Sequence, residues 1–242
     1  FGILTLHALL TANFVLIPLL LNNHIGLNTH SQWLLYLPIL FLAFISMIPM
    51  IIIAEKKHYL RAFFLIAIGL LGSSELILFL APFNLPLVAL SLYLFFTGFT
   101  FMEASLPSLI SKEAPAGAKG TAMGVYSSSQ FLGIFIGGYG AGWLLQHHNS
   151  QDIFLSCVVL TAIWFLLSLK MKPRYLKSKI LKIGNISSEQ AMMLTKKLLA
   201  IPGVADAVIR VQEGIAYLKV DQQKLNQDAL KTFEMEGSES VL

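Results

Sequence analysis

Six side chains sit where their chemistry has consequences. Glu103, Glu75, His7, Asn13, Tyr126 and Gln130 all fall inside long apolar runs. A polar group there either finds a hydrogen-bond partner or stays unsatisfied, at a cost of about 2–7 kcal/mol. A charge held in hydrocarbon costs roughly 2.5–3.5 kcal/mol by insertion scales. The carboxyls and the imidazole can take up and release protons; the amides and the phenol can hold a ligand or a neighbouring helix. No His-Glu-x-x-His or Gly-x-Ser-x-Gly pattern and no paired intramembrane aspartate accompanies them, so an enzyme is not expected. Cys157 is the single cysteine, which excludes a disulfide framework or a thiolate metal site within the chain. The adjacent His147 and His148 read as solvated loop residues, and neither a metal nor a cofactor is expected.

The elements that carry these residues follow from composition. The 242 residues are 56% hydrophobic and 12% charged, against roughly 25% charged in an ordinary soluble domain. Up to Leu169 the chain is a succession of apolar runs of about 20 residues, the length that crosses a ~30 Å hydrocarbon core. Six spans are predicted: about Phe1–Leu21, Trp33–Ala54, Ala62–Ala81, Leu87–Ile110, Thr121–Leu145 and Ile153–Leu169. The chain starts inside an apolar run at Phe1, and upstream sequence is expected to be missing. The net charge of +4 does not indicate a nucleic-acid partner, because the basic residues flank apolar spans.

The loops set an orientation. Lys and Arg are absent from residues 22–32, 82–86 and 146–152, and present at Lys56, Lys57 and Arg61, at Lys112 and Lys119, and after Leu169. Short loops rich in Lys and Arg stay cytoplasmic, so both ends of the six-span unit are expected inside. Such an even-numbered unit is a repeat of many transporters.

Each polar residue has two readings. Glu103 is a proton-titrating carboxylate, or it locks the cytoplasmic side by a hydrogen bond or ion pair, for instance with the 111–120 loop. Glu75 faces a cavity, or it reaches out to the interface. His7 and Asn13 line a cavity, or they bridge helices; Tyr126 and Gln130, one turn apart, touch substrate or pack. Glu55, Lys56, Lys57 and Arg61 form a conformational latch, or they set topology by charge.

The fifth span carries Gly120, Gly124, Gly133, Gly137, Gly138 and Gly142, paired four apart. They are expected to form one small-residue strip that lets a neighbouring helix approach closely. At these residues the sequence resembles the major facilitator superfamily. Lys119-Gly-Thr-Ala-Met-Gly-Val-Tyr-Ser-Ser-Ser-Gln-Phe-Leu-Gly is similar to the eleventh span of drug:proton antiporters. Ala54-Glu55-Lys56-Lys57-His58-Tyr59-Leu60-Arg61 resembles the degenerate second copy of the family's loop motif. Glu103-Ala-Ser-Leu-Pro-Ser-Leu109 and a cytoplasmic domain after the last span resemble the YajR-type subfamily. The resemblance implies an all-α membrane bundle of six transmembrane helices, the C-terminal half of the fold, and His7 and Asn13 on a cavity-lining span. It also implies a missing N-terminal six-span half, without which this chain alone is not expected to transport.

After residues 1–172 and a basic linker at 173–178, residues 179–242 change character. A strand at 179–186, a helix opened by the Ser187/Gln190 capping pair, strands at 204–212 and 215–220 and a helix from Asp221 with Leu225, Ala229 and Phe233 give the order βαββα. A fourth strand in 236–242 would complete a small α+β ferredoxin-like domain. Pro202-Gly-Val-Ala-Asp-Ala-Val resembles heavy-metal-associated domains, but the tail has no cysteine to bind a soft metal. The resemblance to the major facilitator superfamily implies proton-coupled secondary efflux of small molecules across the bacterial inner membrane, with the lipid bilayer, protons and a small-molecule substrate as partners. The alternative is a membrane-anchored sensor whose tail docks a cytoplasmic partner.

Overall fold

A computed structural model describes residues 1–81, 83–115, 118–171, 176–184, 186–221, 224, 225 and 229. Each of the six apolar runs is a helix: α1 (Gly2–Ile25), α2 (Trp33–Lys56), α3 (Leu60–Leu80), α4 (Leu85–Glu113), α5 (Lys119–His147) and α6 (Ser150–Ser168). α1, α2, α3, α4 and α6 are long and apolar enough to cross a membrane by length and composition. α5 is long enough at 29 residues, but its glycines and the Ser127–Ser129 run dilute its hydropathy, so the expectation of six spans is met on composition by five.

Contacts divide the chain into two compact units. One comprises Phe1–Pro107 with Gly124–Pro173, the other Ser108–Met123 with Arg174–Leu242. In the first, α1 is the central helix. Its apolar window is 61% buried, against 22% for α2. Leu6, Leu9, Leu16, Ile17 and Leu21 of α1 join Phe95, Phe101 and Met102 of α4 and Ile68 and Leu71 of α3 in the fully buried core. α2 turns Leu37, Phe41, Phe44, Ile48 and Ile52 outward. A contiguous apolar face of this kind is what a membrane or a protein partner covers.

The glycine pairs serve two faces of α5, not one strip. A Cβ at Gly133 or Gly137 would run into the backbone of Leu4 or Ala8 on α1, whereas one at Gly120, Gly124, Gly138 or Gly142 meets nothing within 4 Å among the described residues. At 3.6 residues per turn, nine residues from Gly124 to Gly133 make two and a half turns, which puts them on opposite sides.

In the second unit, strands β1 (Leu176–Lys182), β2 (Val204–Arg210) and β3 (Ile215–Asp221) form an antiparallel sheet in the order β1-β3-β2, with helix α7 (Ser188–Leu199) between β1 and β2 in sequence. β1 begins earlier than the strand expected from residue 179, because its register with β3 continues to Leu176↔Asp221. α7 opens with the expected capping box: the Ser187 hydroxyl accepts from the Gln190 amide, and the Gln190 side chain accepts from the Ser187 amide. Leu181, Ile183, Leu198, Ile201, Ala207, Ala216, Leu218 and Val220 make its core. The expected helix after Asp221 falls mostly, and the fourth strand wholly, outside the described residues.

Candidate functional site

α1 presents two polar residues to its neighbours, His7 toward α4 and α5 and Asn13 toward α3. His7 lies one turn after Ile3, and its Nδ1 donates to the Ile3 carbonyl at 3.2 Å. That fixes the neutral ring's other nitrogen as the acceptor. Nε2 takes a hydrogen bond from Gln130 Nε2 of α5 at 2.8 Å. Glu103 Oε2 of α4 stands 3.7 Å from the same nitrogen, beyond hydrogen-bond length, and has no partner of its own among the described residues. The ring of Phe99, one turn before Glu103, meets the imidazole edge-on at 5.7 Å. The His7 side chain is 6% exposed and that of Glu103 38%. Tyr126 lies one turn before Gln130 with its hydroxyl buried and unpartnered among the described residues.

Two turns further along α1, Asn13 makes a second arrangement. Its Nδ2 donates to the Leu9 carbonyl at 3.0 Å and to Glu75 Oε1 of α3 at 2.6 Å. Glu75 is fully buried, and its second oxygen is unpartnered among the described residues. It does not reach out to an interface. Ser74 beside it donates to the Ser91 carbonyl of α4 at 2.8 Å. The pair Asn13–Glu75 therefore joins α1 to α3 in a sealed place, while His7 bonds α5 through Gln130 and faces Glu103 of α4, whose side chain is partly exposed.

Sequence reasoning singled out all six of these residues, and the structure sorts them into these two clusters, with Tyr126 beside the first. Glu103 faces His7. The bond from Thr11 Oγ1 to the Ile134 carbonyl at 3.2 Å, which ties α1 to α5 beside Gly137, was not anticipated, because threonine in a helix usually bonds back to its own turn. Arg61 of the charged loop donates to the Leu169 carbonyl at the end of α6 at 2.5 Å, a cation on the negative end of a helix dipole. Lys56 and Lys57 are exposed, as is Glu55. His147 donates to the Trp143 carbonyl at 2.9 Å, and His148 lies 3.5 Å from Asp152.

The pattern of the Major Facilitator Superfamily matches residues 1–205. The chain is 40% identical over 228 residues to the inner membrane transport protein YajR of Escherichia coli (strain K12), covering 93% of this chain and 50% of that protein. It is 34% identical over 136 residues to an uncharacterized transporter of Buchnera aphidicola subsp. Acyrthosiphon pisum (strain APS), covering 56% and 35%. It is likewise 34% identical over 168 residues to another from Buchnera aphidicola subsp. Schizaphis graminum (strain Sg), covering 69% and 43%. The chain thus spans half or less of the length of these relatives. It belongs to the major facilitator superfamily.

Proposed function

We propose that this chain forms one half of a proton-coupled secondary transporter of the bacterial inner membrane, which exports small amphipathic molecules by alternating access. The observation that carries this reading is the cluster His7–Gln130–Glu103, in which a buried imidazole bonded to Gln130 stands 3.7 Å from a partly exposed carboxylate. With His7 neutral, Nε2 accepts from Gln130. A proton on Nε2 removes that acceptor and supplies a donor, for which the unpartnered Glu103 Oε2 is the ready acceptor. Proton uptake thus exchanges an α1–α5 bond for an α1–α4 bond. A carboxylate left free again can meet a proton or a cationic group of a substrate, and that mutual exclusion is what coupled exchange requires. Asn13–Glu75, in this reading, positions α1 against α3.

The basic loops lie in the cytoplasm, by the positive-inside rule, and α5 spans the membrane with the other five helices, its Gly133 and Gly137 set closely against α1. A further six-span half completes the cavity; the 50% share of the YajR relative supports this. Residues 179–242 form a cytoplasmic ferredoxin-like domain, for which the β1-β3-β2 order leaves the outer edge of β1 for a fourth strand. Dye flux in proteoliposomes of the complete protein under an imposed pH gradient tests the function: flux that follows the gradient is expected, and its absence across a range of amphipathic cations and anions would overturn the reading.

A further inference from the structure

β3 carries an anomaly. Ala216, Leu218 and Val220 alternate into the tail core, so the intervening residues belong on the outer face. Yet Lys219, on that outer face, is 2% exposed. Lysine is almost never fully buried unless it has partners. Its ammonium donates to the carbonyls of Ser111 at 3.1 Å, Lys112 at 2.5 Å and Ala114. Those carbonyls belong to the last turn of α4 and the residue that follows it. A helix leaves its last four carbonyls without intrahelical donors and gathers partial negative charge there. Three donors on one ammonium meet three such acceptors. Burial pushes the Lys219 ammonium below the ordinary lysine pKa, with Lys119 adding to the push and Asp206 and Glu113 opposing it. The contact is therefore made against a desolvation cost, which packing preference alone does not explain.

We propose that the tail domain holds the end of α4 through Lys219, so that the helix beyond Pro107 and the tail form one working body. The division of contacts falls at Pro107/Ser108. Proline has no N–H, and the carbonyl it leaves without a donor is that of the residue four earlier, Glu103. α4 is thus weakest one turn past the carboxylate of the candidate site, and what lies beyond the weak point goes with the tail. Displacement of the tail by a cytoplasmic event re-aims the end of α4 and changes the setting of Glu103. The hold stands on its own; that it regulates the Glu103 site rests on the transporter reading.

Hydrogen exchange on the complete protein in lipid nanodiscs tests the hold. Lys219→Met keeps the stem and removes the ammonium. Amides 109–114 are expected to exchange at least tenfold faster, with β1–β3 protection unchanged, and deletion of the tail after Pro173 is expected to match it. Unchanged exchange at 109–114 with the tail still folded overturns the hold. Where Lys219→Met unfolds the tail, Lys219→Arg decides: protection kept near the wild-type rate supports the cation on the carbonyls, and exposure of 109–114 with a folded tail overturns it. Flux then separates the two readings. A hold confirmed by exchange, with wild-type flux in Lys219→Met, overturns regulation alone; no flux in the wild type overturns the transporter reading and leaves the hold.

Discussion

Glu75 and Glu103 are two carboxylates set within the apolar runs of one helix bundle, and their surroundings differ in every respect that matters. Glu75 is sealed, with Asn13 as its donor and no opening beside it. Glu103 is part open, with an imidazole beyond hydrogen-bond length and no fixed donor among the described residues. The first arrangement holds helices in register, because any movement would strand a buried polar group. The second has slack, which a group that binds and releases a proton needs. The same contrast runs round α5, whose Gly133/Gly137 side is closed on α1 while its Gly120/Gly124/Gly138/Gly142 side is open among the described residues.

The contrast can be broken by substitution. The largest effect belongs to Glu103→Gln, which is expected to cut pH-driven flux in the complete protein roughly 100-fold, the scale of removing a proton-transfer group, while thermal stability stays near wild type. Full pH-dependent flux in that variant would remove Glu103 from the proton pathway. Next comes Gly137→Ala, where the new methyl meets the Ala8 carbonyl and the Thr11 hydroxyl. A loss of about 1–3 kcal/mol is expected from overpacking, read as a lowered Tm in detergent, with Gly138→Ala as the near-neutral control. Equal Tm shifts at the two positions would show that both faces are covered alike. Asn13→Ala leaves Glu75 without its donor and should cost about 1–2 kcal/mol, without changing the pH profile of flux; a shifted profile would move Glu75 into the proton pathway. Smallest is Glu75→Gln, which keeps an acceptor for Asn13 and should change stability by less than about 1 kcal/mol.

Much of the fold was legible because hydrocarbon imposes length and apolarity on each span, and the helices start and stop within a few residues of the apolar runs. The capping box of α7 was legible for the same kind of reason: Ser187 and Gln190 do their work locally. Glycine spacing was read at the level of pairs, but the half-turn between Gly124 and Gly133 separates them, and the helical repeat already contains that information. Lys219 was not legible. Strand alternation places it outward, and its partners lie more than 100 residues away in sequence, at separations of 105, 107 and 108. The six candidate polar residues were found because an apolar run makes any polar residue conspicuous. Which of them pair was hidden, since Asn13–Glu75 and His7–Gln130 depend on helix rotation and on which helices are neighbours.

One labelling experiment addresses the difference between the two carboxylates most directly. The complete protein in proteoliposomes is treated with a water-soluble carbodiimide and an amine nucleophile, and modification at each glutamate is quantified by mass spectrometry. The account predicts that Glu103, with its partly exposed side chain, is modified, while Glu75 stays unmodified until the protein unfolds. Modification of Glu75 at a rate equal to or above that of Glu103 in folded protein would contradict it.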